Sequence, residues 1–393
     1  MRAGLTLLCL AYVLSQFFRA FLAVLSGVLE VDIGTGPDVL ASASGYWFLA
    51  FAAMQIPVGW ALDKIGPRRT ASVLLFLGGG GGAALFAVAT GATHVKLAML
   101  LIGIGCSPVL MASYYIFARQ FPVAQFATLA ALMLGVGSVG NLVASYPMAF
   151  AAETFGWRAS LGALAVISAI VALGIAIWVK DPEPVEGDTK GSLLDLLKMP
   201  VLWLMFPLMF INYVPAAGIR GLWIGPYLRD VFGLDTGQIG QATLVMGIAM
   251  IAGTLCYGPL DRVFKTQKWV IIIGNLIGGV ATLALMMLAT QTVLLSIALC
   301  AVVGFFGASF PVIIAHARSF VPAHLAGRGV TLMNLFGIGG VGIMQFVSGR
   351  LHGTVQAQSG DSAAYTALFA LFGLSLLVGT FIYLFTRDAA RAE

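Results

Sequence analysis

Gly59-Trp60-Ala61-Leu62-Asp63-Lys64-Ile65-Gly66-Pro67-Arg68-Arg69 interrupts the apolar character of the chain for only a few residues. An apolar run over 40–62 leads into it and another over 70–90 leaves it. Each run is long enough for a spanning helix, which takes about 20 mainly apolar residues. Gly66-Pro67 marks the turn. The basic residues Lys64, Arg68 and Arg69 fit the bias that keeps Lys and Arg on the cytoplasmic side of a membrane.

The same alternation continues in both directions. Of the 393 residues 60% are hydrophobic and only 9% charged, and mean hydropathy is +0.98. A soluble domain carries about 25% charged residues, so most of this surface must face lipid. We expect an all-α membrane protein with spans at 5–29, 40–62, 70–90, 96–118, 124–151, 158–179, 200–228, 237–260, 268–290, 292–316, 327–350 and 363–386. The first run is too long for a signal-peptide core and lacks a cleavage site, so it reads as the first span. With an even number of spans both termini share a side. Placing them in the cytoplasm puts fifteen of the 21 basic residues inside and only Lys96, Arg158, Arg229 and Arg350 outside. The expected location is the cell inner membrane. The net charge of +5 then reflects topology, and no nucleic-acid partner is expected. Cys9, Cys106, Cys256 and Cys300 all fall in apolar runs without metal-ligand spacing, and read as packing residues.

The one long polar stretch, 181–199, starts at Asp181-Pro182-Glu183-Pro184 and ends in a short amphipathic segment, Ser192 to Lys198. It separates an N-terminal six-helix bundle, 1–180, from a C-terminal one, 200–393. The halves match at an offset near 200 residues. Gly59-Trp60-Ala61-Leu62-Asp63-Lys64 pairs with Gly258-Pro259-Leu260-Asp261-Arg262, and Ala118-Arg119-Gln120-Phe121-Pro122 with Ala317-Arg318-Ser319-Phe320-Val321-Pro322. The glycine runs Gly135–Gly140 and Gly337–Gly342 form a third match. Duplicated six-helix units are the form of one transporter class, whose substrate site lies where the repeats meet.

The chain resembles the major facilitator superfamily. The stretch from Gly59 to Arg69 is similar to that family's signature: Gly, an Asp four residues on, a basic residue, then Gly-x-Arg-Arg. The resemblance covers essentially the whole chain, through helix number, linker and duplication. It implies two pseudo-symmetric bundles working by alternating access. It also implies that Asp63 and Arg68, with Arg69 beside them, lock helix ends in one conformation and release them in the other. Asp261 and Arg262 stand as a degraded second copy. Ordinary helix capping and charge bias are the alternative for these residues.

Arg19 lies near the middle of the first span and Arg220 well inside the seventh, at equivalent places in the two halves. An Arg at mid-membrane costs about 2.5–3.5 kcal/mol on insertion scales and so faces a cavity or a partner. None of the sixteen acids falls mid-span. Two guanidiniums without a carboxylate point to an anionic substrate, which the planar fork of Arg grips in bidentate fashion. The pair also resembles the organophosphate and organic-anion carriers of the superfamily, which grip the anion from both halves. The alternative is that each Arg bonds backbone carbonyls at a helix break, where Pro215 and Gly218 bear on Arg220, or snorkels to an interface.

Gln16, Tyr115, Asn141, Asn212, Trp223, His316 and Asn334 are further substrate-binding candidates on the expected cavity helices. Hydrogen bonding from helix to helix is the competing role for each. His316 reads either as a titratable switch or as a helix-end residue beside Arg318. The expected function is secondary active transport of a small organic anion, a carboxylate or phosphate ester, by a monomer with a coupling ion or counter-anion and no cofactor. A proton-coupled exporter of drugs or metabolites is the alternative. No nucleophile elbow, paired carboxylate or His-Cys-acid cluster points to an enzyme.

Overall fold

The computed structural model describes residues 2–182, 196–322 and 325–388. Every regular element among them is helical. Among the described residues nine helices are long and apolar enough to cross a membrane, and counting each of three bent pairs as one span gives up to twelve. Helices suit this setting because they satisfy every backbone hydrogen bond within one segment.

The chain forms two compact units, Met1–Glu186 with Asp235–Gln241, and Gly187–Leu234 with Ala242–Glu393. Within the first unit the spans are Arg2–Phe17 with Leu22–Ile33, Pro37–Ala53 with Gln55–Lys64, Pro67–Ala87, Ala92–Gln120, Val123–Val143 with Tyr146–Phe155, and Trp157–Trp178. The later spans are Pro200–Phe232, Thr236–Val263, Lys268–Leu288, Val293–Arg318, Ala326–Ser359 and Asp361–Tyr383. The expected amphipathic segment, 192–198, falls mostly outside the described residues.

Packing repeats from one unit to the other. In the first, span one lies against span five, two against four, and three against six. In the second, seven lies against eleven and nine against twelve. Gly253 of span eight there meets the Phe305 carbonyl of span ten. The backbone repeats as well. Left-handed residues come in pairs: Gly34 with Gly233, Gly156 with Gly360, and Gly66 with Lys265. The first pair ends spans one and seven. The last sits in the turn after spans two and eight, where a Cβ on Gly66 would also lie 2.9 Å from the Asp181 carboxylate. Lys265 adopts the same hand at φ 54°, a conformation that costs a residue with a side chain about 1–2 kcal/mol.

An acid just beyond the last span of each unit ties down the start of that unit's third span. Asp181 accepts from the Arg68 backbone N–H at 2.7 Å. Asp388 accepts from the Lys268 backbone N–H at 3.3 Å and from the Thr266 hydroxyl. Partial burial pushes the Asp388 carboxyl up, but the Thr266 hydroxyl, the Lys268 and Gln267 amides and nearby His316 outweigh it and hold the group below its ordinary value. Large apolar side chains such as Leu77, Ile177, Leu255 and Val280 remain exposed along the spans, as a lipid-facing surface requires.

Candidate functional site

The first span breaks at Phe18–Phe21, where its two segments meet at 55°. The Arg19 and Ala20 amides reach back three residues, to the Gln16 and Phe17 carbonyls at 3.4 and 3.0 Å. That tightening turns the helix without a proline or glycine. Aromatic packing holds the bend: Phe17 stacks on Phe21 at 5.7 Å, Phe18 meets both edge-on, and Phe21 packs on Phe86 of span three.

Arg19 stands in this break. Its guanidinium carbon lies 4.9 Å from the Phe51 ring centre and 5.2 Å from that of Trp47. These rings are four residues apart on one face of the second span and stack on each other at 5.2 Å. Such contacts contribute about 0.5–1 kcal/mol when exposed and about 2 when desolvated. They support the cation while leaving its N–H groups available. No acid pairs with Arg19 among the described residues. Asp32, at the end of the same span, is held by Trp157 Nε1 at 2.9 Å and Arg158 Nη2 at 3.3 Å. Three buried polar atoms gather on these two spans without a hydrogen bond: Gln16 Oε1, Arg19 Nε and Trp47 Nε1. Each such atom costs about 1–3 kcal/mol. Three left together stand out against the usual pairing of buried polar groups.

The seventh span carries Arg220 in a different local structure. Its helix passes through Pro215 and then widens into a π-helical turn, Ile219–Trp223. Such turns recur at functional sites. Arg220 is 4% exposed. Trp223 donates to Gln345 Oε1 and Ser348 Oγ, both at 3.1 Å, which fixes the end of the turn against span eleven. Asp230, further along the span, is held by Arg229 at 2.8 Å and by Tyr365 at 2.5 Å.

Asn212 of the same span turns toward other helices. It donates to Asn275 Oδ1 at 2.5 Å and to Ser309 Oγ at 2.8 Å, knitting spans seven, nine and ten. Asn212→Ala is therefore expected to cost about 1–3 kcal/mol of stability through the broken buried network, read as a lower melting temperature in detergent with ligand affinity unchanged. Lost affinity at an unchanged melting temperature would put Asn212 in the binding site instead.

The signature turn makes two separate ion pairs. Asp63 meets Arg119, at the end of span four, at 3.9 Å, while Arg68 Nε meets Asp181 at 3.6 Å. Arg119 also covers the Tyr115 ring at 4.3 Å, which places Tyr115 in this cluster and not beside Arg19. The Asp63 side chain is 63% exposed. Exposed pairs contribute about 0–1 kcal/mol, a size suited to repeated making and breaking. The Arg69 guanidinium pairs with no acid among the described residues. The side chains of Asp261 and Arg262 lie outside the described residues.

His316 is fully buried at the end of span ten, bonded to Tyr383 Oη at 2.5 Å and to the Arg387 carbonyl at 3.1 Å. Asn141 and Asn334 are half-buried, and the Asn141 carbonyl accepts from the Ser145 hydroxyl at 3.2 Å. Sequence reasoning missed Trp47 and Phe51 around Arg19, and Arg119 and Asp181 in the ion pairs. Trp47 and Phe51 carried one faint signal, two aromatics at helical spacing. Asp181 carried none, since its partner is 113 residues away.

Comparison with known proteins gives a consistent result. The family model described as Major Facilitator Superfamily matches residues 8–235 and again 209–393. The "Probable sulfoacetate transporter SauU" of Cupriavidus necator is 23% identical over 284 residues, covering 66% of this chain and 65% of that protein. NicT of Pseudomonas putida, named as a metabolite transport protein, is 23% identical over 92% of this chain and 88% of its own length. The sialic acid transporter NanX of Escherichia coli is 23% identical over 66% of this chain and 64% of its own. Among solved structures, a bacterial homologue of the human lysosomal transporter Spinster superposes with a TM-score of 0.77 at 15% identity, covering 97% of this chain and 96% of that one. A D-xylose-proton symporter gives 0.75 at 15% identity, covering 98% of each. With two family matches that together span nearly the whole chain, and with twelve spans in two repeating units, this protein belongs to the Major Facilitator Superfamily and is a multi-pass membrane carrier, not an enzyme.

Proposed function

We propose that this carrier moves a small organic anion by alternating access, with Arg19 and Arg220 as its two cationic ligands. The observation that carries the reading is the setting of Arg19. It is a membrane-embedded cation supported by two aromatic rings, with no acid paired to it among the described residues and with its Nε unbonded. Burying such a charge is costly unless something answers it. A carboxylate, sulfonate or phosphate arriving with the substrate answers it, and Arg offers two parallel N–H donors for that contact. Three relatives are named for organic acids: sulfoacetate, sialic acid and L-galactonate. The termini lie in the cytoplasm, as the basic residues suggest. Asp63, Arg68 and Arg69, with Asp261 and Arg262 as their counterparts, form the latch that opens and closes.

Proteoliposome uptake with a panel of carboxylated, sulfonated, phosphorylated and cationic solutes tests this. Saturable uptake confined to anions is expected. It should respond to a pH gradient if a proton is the coupling ion, or to a trapped counter-anion if exchange drives it. Uptake of cations alone rejects the reading.

A further inference from the structure

A groove of about 780 Å³ runs along the outer face of the first unit, between spans two and three with Ala176 of span six at its back. Its lining includes none of Arg19, Trp47 and Phe51. Pro57, Trp60 and Val73 form its walls, and Arg68 and Arg69 stand at one end. Trp60 is 62% exposed and Val73 52%. In a membrane protein, apolar surface this exposed along a span faces acyl chains. The arginine end lies at the turn between two spans, hence at the headgroup level. Trp60 is one turn of helix from that level, where amphipathic indoles collect.

Charge decides what fills the groove. Asp181 answers Arg68, and Asp63 is taken by Arg119. Arg69 and exposed Lys64 pair with no acid among the described residues, so this end carries surplus positive charge beside an apolar channel. Basic pockets between spans take anionic lipid headgroups on these grounds.

We propose that this groove binds one anionic phospholipid, its phosphate on Arg69 and an acyl chain along Trp60 and Val73. The proposal needs the membrane fold and nothing from the anion-transport reading. Arg68, bonded to Asp181, adjoins the headgroup position, so the lipid bears directly on that ion pair and on the rate at which it opens.

Native mass spectrometry of the detergent-purified protein, equilibrated with phosphatidylglycerol or with phosphatidylcholine of the same chains, tests this. The wild type is expected to hold one phosphatidylglycerol about fivefold more tightly than phosphatidylcholine, following about 1 kcal/mol per basic residue near the surface. Arg69→Ala and the gentler Arg69→Gln should both lose that preference. Val73→Trp fills the channel and should lose both lipids. Each variant is first checked for a monodisperse gel-filtration peak, and the two Arg69 variants serve as each other's control for folding. Equal retention of the two lipids overturns the proposal. So does phosphatidylglycerol retained by both Arg69 variants, or displacement of the lipid by inorganic phosphate alone. Binding of several lipids that Val73→Trp leaves unchanged also overturns it.

Discussion

Arg19→Ala should weaken binding of the transported anion by about 30-fold to 5,000-fold while leaving the melting temperature nearly unchanged. The size follows from truncating one partner of a desolvated charge pair, which costs about 2–5 kcal/mol. The unchanged stability follows from the unliganded geometry. Arg19 has no acid partner to strand among the described residues, and loss of its contacts with Trp47 and Phe51 removes about 0.5–2 kcal/mol. Relief from holding a desolvated cation offsets that loss. Arg19→Lys keeps the charge but loses the fork and the stacking, so an intermediate loss of about tenfold is expected. Trp47→Phe keeps a ring under the guanidinium but deletes the unbonded indole N–H together with part of a fully buried ring. A loss of affinity there at an unchanged melting temperature would show that the indole touches the anion as well. The check is thermal shift against anion concentration for all three variants, beside initial uptake rates. If Arg19→Ala keeps its affinity and melts lower, Arg19 is a structural residue and the proposed cargo class goes with it.

The spans were legible because lipid imposes one rule on every helix, and length with hydropathy reads that rule directly. The expected first span, 5–29, and the observed course from Arg2 to Ile33 differ mainly at the ends. The break inside it was not legible. Phe17 to Phe21 contains no helix breaker, and the bend leans on Phe86, some 65 residues away. The π turn around Arg220 follows Pro215 by only a few residues, yet the proline does not break the helix. Charge inside a span was the strongest clue to the site, since little but function repays its cost. Polar neutral residues were weaker clues. Asn212 and Gln16 look alike in sequence, yet Asn212 finds Asn275 and Ser309 while Gln16 Oε1 finds nothing. Only tertiary placement separates the two roles.

The glycine runs of spans five and eleven press backbone on backbone. A Cβ on Gly140 would fall far inside van der Waals contact with the Val13 carbonyl oxygen, and one on Gly340 far inside contact with that of Phe210. These are the contacts of span five on span one and of span eleven on span seven. Small residues allow such approaches within membranes. Overpacking costs about 1–3 kcal/mol where side chains can give way. Here the obstacle is main chain, so a whole helix must move. Gly140→Val is thus expected to cost about 3 kcal/mol or more and to leave little monodisperse protein, with Gly140→Ala intermediate. The shift would also carry Arg19, since Val13 and Phe17 face Gly140 directly before the break. Anion affinity in the surviving Gly140→Ala protein should therefore fall together with its stability, whereas Arg19→Ala loses affinity alone. Gel filtration with thermal melting, run on Gly140→Ala and Gly340→Ala together, decides the matter. Two wild-type melting curves would mean the helices stand further apart than the backbone contacts require, and the support assigned here to the Arg19 bend would have to come from elsewhere.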